Sequence, residues 1–193
     1  NFKRLYYVRY ADDFIIGVVG SYADTVSIRE TLQNWLTSNL KLELHPLKTF
    51  IRRFSEESVK FLGVIIGPIQ APEDRTVRLY SFGQRRRVTS RLAMRVDLVA
   101  LFKRLKERGF CYYNANLRVF KGQALGGLQN LDTLDIILFY NSVFRGIWNY
   151  FGFVDNSSSL NQVWCVLQDS LAFTLSRKFR QVGIKGIFRR FGN

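Results

Sequence analysis

The apolar pattern of the first forty residues changes from a strand period to a helix period. Residues 6–10 and 14–19 are rich in β-branched and aromatic side chains and flank a short polar turn. This arrangement predicts two strands joined as a hairpin. Apolar residues then recur at roughly helical spacing between positions 26 and 40, and Ser21 or Asp24 precedes them as a candidate cap. A helix is therefore predicted to follow the hairpin.

Strand-type patterns return after this helix. Residues 40–44 alternate strictly between apolar and polar, and residues 48–54 resume an extended pattern. Residues 59–67 are typical of a strand pair with a tight bend at Gly63. Strand, turn, strand, helix and further strands predict an α+β layer, in which a sheet carries a helix on one face.

The second half of the chain has helical periodicity. Residues 85–108 combine regularly spaced apolar side chains with many cations, which predicts an amphipathic helix that ends at Gly109. A polar loop is expected next, followed by helices over 132–151 and 160–179. Three amphipathic helices joined by moderate loops predict an all-α bundle.

Charge divides the chain in a similar place. The proline-containing segment 68–74 predicts a boundary between domains 1–74 and 75–193. Residues 1–84 hold 11 Lys/Arg and 9 Asp/Glu, a net charge of +2, whereas residues 85–193 hold 18 and 6, a net charge of +12. The second half therefore dominates the electrostatic field of the chain.

The basic charge indicates a polyanionic partner. The whole chain carries +14 at pH 7, more than solubility requires, and nucleic acid is the partner this favours. An anionic membrane surface or a protein docking site is the alternative, although no apolar run is long enough for a transmembrane helix. The cations expected to bind RNA are Arg85, Arg86, Arg87, Arg91, Arg95, Arg145, Arg177, Lys178, Arg180, Lys185, Arg189 and Arg190.

Asp12 and Asp13 are candidate metal ligands at the turn of the first hairpin. Adjacent carboxylates repel each other unless a cation lies between them. Mg²⁺ is commonly bound by one or two carboxylates together with substrate phosphates. The alternative is an ordinary hairpin turn, because Asp is common in turns.

Residues 10–13, Tyr-Ala-Asp-Asp, resemble the metal-binding hairpin of reverse transcriptases, and residues 7–14 resemble the group II intron enzymes specifically. The resemblance implies that the first half is the second part of a polymerase palm. It also implies that Asp12 and Asp13 are catalytic metal ligands. Phe61, Leu62 and Gly63 match the primer-grip segment of that family.

Residues 42–49 are similar to a family segment that usually reads Leu-x-Leu-x-x-Glu-Lys-Thr. Lys48 matches the family lysine, for which the resemblance implies a role in protonating the leaving pyrophosphate. The alternative for Lys48 is a solvated surface side chain. The chain departs from the pattern at Leu47, where the family usually has Glu.

Residues 139–151, followed by Asp155 and Asn156, resemble the signature of the maturase thumb, called domain X. Residues 170–179 are similar to the later Ser-x-Ala-x-Thr-Leu-Ala-x-Lys run of that domain, with Ser176 in place of Ala. The resemblance implies a helical thumb that, with the palm, grips intron RNA and stabilises its splicing-competent fold.

Five residues match the thumb signature and are candidates for RNA contact: Tyr140, Asn141, Arg145, Asn149 and Tyr150. The alternative, for Asn141 and Asn149 above all, is that their amides satisfy hydrogen bonds inside the domain.

Two-metal phosphoryl transfer needs carboxylates that hold both ions. The family supplies one Asp from a strand upstream of the hairpin, and only nine residues precede Tyr10. The chain is therefore expected to be part of a longer or processed product and not to polymerise DNA alone. A separate chain with the fingers and amino-terminal palm would complete the site and its Mg²⁺; otherwise no cofactor is expected.

Three functions follow from these observations. The first is a maturase that binds structured intron RNA, and the second is a maturase-derived RNA-binding component of a large ribonucleoprotein such as an organellar ribosome, bound to rRNA. The third is a membrane- or protein-docking module. Seventeen Phe in 193 residues suggest an A/T-rich genome, so the expected location is the mitochondrion or another organelle, with a bacterial cytoplasm as the alternative.

Overall fold

The chain forms two compact units of mixed α and β structure. The computed structural model describes residues 3–68, 76–78, 85–87, 92–180 and 184–191. Unit 1 comprises Asn1–Leu62 and Ile66–Leu92, and unit 2 comprises Gly63–Ile65 and Ala93–Asn193. The predicted combination of helices with small antiparallel sheets is confirmed, whereas the predicted boundary at residue 74 lies outside the described residues.

The described residues contain nine short strands and five α-helices. The strands are β1 (Arg4–Tyr10), β2 (Asp13–Val19), β3 (Val59–Phe61), β4 (Val64–Pro68), β5 (Thr76–Arg78), β6 (Arg85–Arg87), β7 (Leu92–Val96), β8 (Cys111–Asn114) and β9 (Val119–Gly122). The helices are α1 (Tyr22–Trp35), α2 (Leu98–Glu107), α3 (Thr133–Phe151), α4 (Leu160–Lys178) and α5 (Lys185–Phe191).

The predicted hairpin at the start of the chain is present. β1 and β2 pair in antiparallel register from Arg4 opposite Val19 to Tyr10 opposite Asp13. Ala11 has a φ of 53°, in the left-handed region that a two-residue hairpin loop often requires. The hairpin therefore holds the Asp-Asp pair at its tip.

Of the two predicted cap candidates, Ser21 is the N-cap of helix α1, and it forms a complete capping box with Asp24. The Ser21 hydroxyl accepts from the Asp24 backbone N–H, and the Asp24 carboxylate accepts from the Ser21 N–H at 2.9 Å. Lys3 donates to the same carboxylate at 2.6 Å. The hydrogen bond from Lys3, followed by those from the hydroxyl and the backbone N–H of Ser21, lowers the pKa of the Asp24 carboxyl to about 2. The helix ends in a π-helical turn over Leu36–Leu40.

The strands predicted over residues 40–44 and 48–54 are wrong. Lys41 has a left-handed φ of 56° and ends the π-helical turn, which interrupts the alternating pattern. Lys48 and Thr49 then donate their backbone N–H groups to the carbonyl of His45, closing a turn. Alternation alone was insufficient because a strand also needs a neighbouring strand for its hydrogen bonds.

The tight bend predicted at Gly63 is confirmed. Leu62 and Gly63 have φ angles of 49° and 76° and form the two-residue connection between β3 and β4. Positive φ at both positions is typical of a type I′ hairpin turn. The sheet that contains these strands has the order β3-β4-β7.

The helix predicted over residues 85–108 is wrong in its first half. Arg85–Arg87 and Leu92–Val96 are strands, and α2 begins only after Asp97, whose carboxylate accepts from Ala100 N–H at 3.1 Å. The predicted end is confirmed, because Gly109 has a φ of 82° and donates to Lys106 O. Together with the bond from Phe110 N–H to Leu105 O, this forms a Schellman motif.

The polar loop predicted after Gly109 is a β-hairpin instead. β8 and β9 pair antiparallel from Cys111 opposite Gly122 to Asn114 opposite Val119. Phe120 stacks on Phe102 of α2 with ring centroids 4.9 Å apart, so the hairpin shares the apolar layer of the helix. Unit 2 is therefore not the all-α bundle that the sequence predicts.

The two long helices predicted for the second half are confirmed as α3 and α4. They contribute the fully buried side chains of Ile136, Leu160, Val163 and Leu167 to the apolar core of unit 2. α5 packs against α4 through the stacked rings of Phe179 and Phe191. Of the helices in the described ranges, none has the length and apolar character needed to cross a bilayer.

Candidate nucleic-acid interface

The thumb signature at Asp155 and Asn156 fixes the α3–α4 turn to strand β7. Asp155 Oδ2 accepts from Met94 N–H at 2.8 Å, and the Asp155 N–H donates to Met94 O at 2.8 Å. Asn156 Oδ1 accepts from Val96 N–H, also at 2.8 Å. These side chains accept hydrogen bonds from backbone N–H groups of β7, so their function here is structural.

A second part of the signature forms a buried polar network between α3 and α4. The Tyr140 hydroxyl lies 2.8 Å from Ser170 Oγ and 2.9 Å from Thr174 Oγ1. Ser170 donates to Gln123 O, and Thr174 accepts from Leu125 N–H. Burial raises the pKa of Tyr140, so the phenol is neutral at physiological pH and acts in the hydrogen-bond network.

Tyr140→Phe should lower the free energy of unfolding by about 1 to 2 kcal/mol, because it leaves buried hydroxyls with fewer partners. Urea denaturation followed by circular dichroism measures this change. Tyr112→Phe is the matched control, since Tyr112 is 42% exposed. The control should change stability by less than about 0.5 kcal/mol. Equal stability of the two variants would show that the network contributes nothing.

Strand β9 approaches the backbone of α4 closely at Gly122. A Cβ at this position would lie 2.5 Å from Ser170 N and 2.6 Å from Val166 O. Beside it, burial raises the pKa of Asp169, partly offset by the charge of Lys121. Glycine at position 122 therefore allows the β8–β9 hairpin to lie directly on α4.

Cations cover the outer side of α2 and the adjoining hairpin. The helix–hairpin cations are Lys103, Arg104, Lys106, Arg108 and Arg118. All five are exposed, and none has a carboxylate of the described residues within 4.0 Å. In contrast, unit 1 contains ion pairs such as Arg53 with Glu56. The helix–hairpin cations thus form a positive surface that can accept phosphate groups.

Helix α3 presents a second exposed surface. Asn141, Arg145 and Asn149 follow one another at intervals of four residues, which places them on one face, and all three are exposed. The alternative that the two Asn amides satisfy internal hydrogen bonds is not favoured by this exposure. Tyr140, by contrast, is 2% exposed and belongs to the core.

The end of α4 and helix α5 bring together five of the predicted RNA-binding cations. These exposed residues, the carboxy-terminal cations, are Arg177, Arg180, Lys185, Arg189 and Arg190. The Arg190 guanidinium lies over the Phe179 ring at 4.6 Å from its centroid. Such stacking orients the guanidinium and leaves its edge free to donate hydrogen bonds.

The other predicted cations have different positions. Lys178 donates to Gln129 O at 3.3 Å and to Leu131 O at 2.7 Å, so its ammonium holds the segment before α3. Arg95 is exposed on β7. Arg91 lies outside the described residues, and Arg85–Arg87 are described as a strand only.

The polymerase-like residues lie on turns. Asp12 and Asp13 are both exposed at the tip of the β1–β2 hairpin, and Lys48 is exposed in the turn that His45 closes. Phe61 ends β3, directly before the bend at Leu62 and Gly63. The described residues contain no cluster of three or more metal-binding side chains. Asp12 and Asp13 alone are a donor set of the kind that binds Mg²⁺ together with phosphate oxygens.

Sequence reasoning placed the α2 cations on a helix but did not select them as RNA-binding residues. Arg118 was missed because its hairpin was predicted as a loop. A signal was present: Tyr112, Tyr113, Val119 and Phe120 are strand formers that flank a short polar segment.

Residues 89–193 match the Type II intron maturase family. The chain is 32% identical over its whole length to the COX1/OXI3 intron 2 protein of Saccharomyces cerevisiae, of which it covers 22%. It is 30% identical, over 92% of its length, to the group II intron-encoded protein LtrA of Lactococcus lactis, of which it covers 29%.

A more distant relative is the mitochondrial protein ymf11 of Marchantia polymorpha, 24% identical over 98% of the chain and covered to 31%. The chain thus spans between about a fifth and a third of the length of these relatives. The family match includes α2, α3, α4 and the helix–hairpin cations. The chain belongs to the type II intron maturase family.

Proposed function

We propose that this chain is the part of a maturase that binds structured intron RNA and supports splicing. The observation that carries the proposal is the set of exposed helix–hairpin cations without nearby carboxylates. The family match and the names of the relatives, which are intron proteins, support intron RNA as the partner.

Electrostatics favour RNA over a neutral partner. Residues 93–193 hold 14 Lys/Arg and 6 Asp/Glu, a net charge of +8. Like charges on one surface repel, and binding to a phosphate backbone relieves that repulsion while releasing counterions. Nine of the 14 cations are Arg, whose planar fork matches two phosphate oxygens and also stacks on bases.

We assign the two units to two parts of a polymerase, the palm and the thumb. In this proposal unit 1 is the second part of a palm, and unit 2 is the thumb with the RNA-binding surface. The remaining palm and the fingers come from a further segment or a separate chain. The mitochondrion is the proposed location, since one relative is named a mitochondrial protein, and a bacterial cytoplasm is the alternative because LtrA is bacterial.

Crosslinking tests the proposal directly. The chain is expressed in cells of its source, irradiated with ultraviolet light and purified under denaturing conditions, and the attached RNA is sequenced. The expected result is enrichment of group II intron RNA. Enrichment of rRNA would instead favour the ribonucleoprotein component, and no enrichment of any structured RNA would overturn both proposals.

A second candidate function is polymerisation, because Asp12 and Asp13 are exposed at a hairpin tip with the ligand chemistry of a magnesium site. With a third carboxylate from outside the chain, these two residues would hold the metal that supports phosphoryl transfer. This role requires the complete palm and fingers.

The double variant Asp12→Asn, Asp13→Asn separates the two functions. The affinity of the chain for intron RNA should change by less than about twofold, because the carboxylates do not attract phosphate. In the complete protein, primer extension on an RNA template should disappear. The control is Glu56→Gln, Glu57→Gln, which removes two exposed unit 1 carboxylates that lie outside the β1–β2 hairpin and pair with Arg53 and Arg52. Primer extension that survives the Asp substitutions would exclude these residues as metal ligands.

A further inference from the structure

A cavity of about 370 Å³ opens on unit 2 between the end of α2, the segment after β9 and helix α3. Its volume lies within the range of cavities that bind small ligands. We call it the unit 2 pocket; its lining residues are Arg108, Phe110, Leu125, Gly127, Leu128, Phe139 and Val143.

Aromatic rings give the unit 2 pocket a preformed wall. Phe110 and Phe139 are nearly parallel, with ring centroids 6.1 Å apart and an interplanar angle of 13°. Phe110 is 3% exposed and also packs edge-on against Tyr140, whereas Phe139 is 39% exposed. One ring is therefore fixed by the core while the other remains accessible to a planar ligand.

The rim of the pocket is positively charged. Arg108 is exposed, caps the carboxyl end of α2 and has no described carboxylate within 4.0 Å. Arg104, four residues earlier and one turn back along α2, is a second exposed cation. An apolar slot beside unpaired cations complements a ligand that has a flat aromatic part and an adjoining anion.

We propose that the unit 2 pocket holds an unpaired nucleobase of the bound RNA, stacked on Phe139, while Arg108 contacts the adjoining phosphate. Unstacked bases of RNA loops and bulges are commonly bound on aromatic side chains. An apolar peptide would occupy the unit 2 pocket but would supply no anion to pair with Arg108. The inference rests on the proposed function, since it assigns a single-stranded element of the RNA to a particular place.

Two neighbouring glycines allow a variant with a larger side chain at the unit 2 pocket and a matched control. Gly127 lines the pocket and a Cβ there would meet nothing within 4 Å, so Gly127→Leu adds an apolar side chain to the pocket lining without a clash. Gly126 does not line the pocket, and a Cβ there would lie 3.4 Å from Gln129 Nε2. Gly126→Leu therefore adds the same side chain one position away. Phe139→Leu is a second variant, which keeps the apolar surface and removes the ring.

The probe is an RNA hairpin whose loop contains all four bases, compared with the same hairpin with an abasic loop. Wild-type protein should bind the base-containing loop about 5- to 150-fold more tightly, which is the contribution of one stacked base. Gly127→Leu and Phe139→Leu should lose this preference and still bind the abasic hairpin, while Gly126→Leu should retain it. Circular dichroism verifies that each variant is folded.

Two results of the binding experiment would overturn the inference. The first is wild-type protein that binds both hairpins equally but still binds intron RNA, which leaves the proposed function intact. The second is that the folded variants Gly127→Leu and Phe139→Leu both keep the preference for the base-containing loop.

Ultraviolet crosslinking of wild-type protein is an independent test that needs no variant. A nucleotide adduct is expected on the peptides that contain Phe139 or Phe110, and adducts confined to other peptides would contradict the inference. Protein that binds no RNA at all would overturn the proposed function as well.

Discussion

Gly122→Ala is expected to destabilise unit 2 by about 3 kcal/mol. The added Cβ would lie 2.5 Å from Ser170 N, 2.6 Å from Val166 O and 2.7 Å from Asp169 Cβ. Two of these atoms belong to the backbone of α4 and cannot move as a flexible side chain would. Overpacking of this kind costs about 1 to 3 kcal/mol or more, because strand and helix must separate.

Thermal denaturation measures this effect. For a protein of this size, about 3 kcal/mol corresponds to a lowering of Tm by about 6 to 12 °C. Gly127→Ala is the matched control, because its Cβ meets nothing within 4 Å and its Tm should be almost unchanged. An unchanged Tm for Gly122→Ala would mean that β9 does not lie on α4 as described.

Removing three α2 cations should weaken binding to structured intron RNA about 10- to 100-fold. The variant is Lys103→Gln, Arg104→Gln, Lys106→Gln, which keeps long polar side chains on exposed positions. Each cation that contacts a phosphate contributes through counterion release, so three losses reduce affinity strongly. Stability should change little because none of the three is buried.

The matched control removes three exposed cations from unit 1: Arg29→Gln, Lys41→Gln, Lys48→Gln. It lowers the net charge by the same amount, so any loss caused by total charge alone would appear in both variants. Filter binding to one intron transcript compares their Kd values. Equal losses would indicate a general charge effect and would contradict a localised surface on unit 2.

The sequence predicted several elements whose formation depends mainly on residues close together in the chain. Helices α3 and α4 follow from long apolar periodicity, and the bend at Gly63 follows from turn chemistry. Strand β7 was missed because the backbone groups of Met94 and Val96 are satisfied by Asp155 and Asn156, about 60 residues away in the chain. Such distant partners override local helical spacing.

For the candidate site as well, some features were evident from the sequence and others depend on the folded chain. The excess of cations was evident from composition, and so was the resemblance of the Tyr-Ala-Asp-Asp turn. The orientation of each side chain was not: Lys178 turns to the carbonyls of Gln129 and Leu131, and Tyr140 joins a buried network. The unit 2 pocket also depends on three segments that meet only in the folded chain.

If exposed unit 2 cations bind the phosphates of intron RNA, the affinity must depend strongly on salt concentration. The slope of log association constant against log salt concentration is about −0.7 to −0.9 for each phosphate neutralised. For intron RNA, we expect a steep slope for wild-type protein and a slope shallower by about 2 to 3 for the α2 triple variant. Wild-type binding that does not change with salt, or a triple variant with the wild-type slope and affinity, would contradict this expectation.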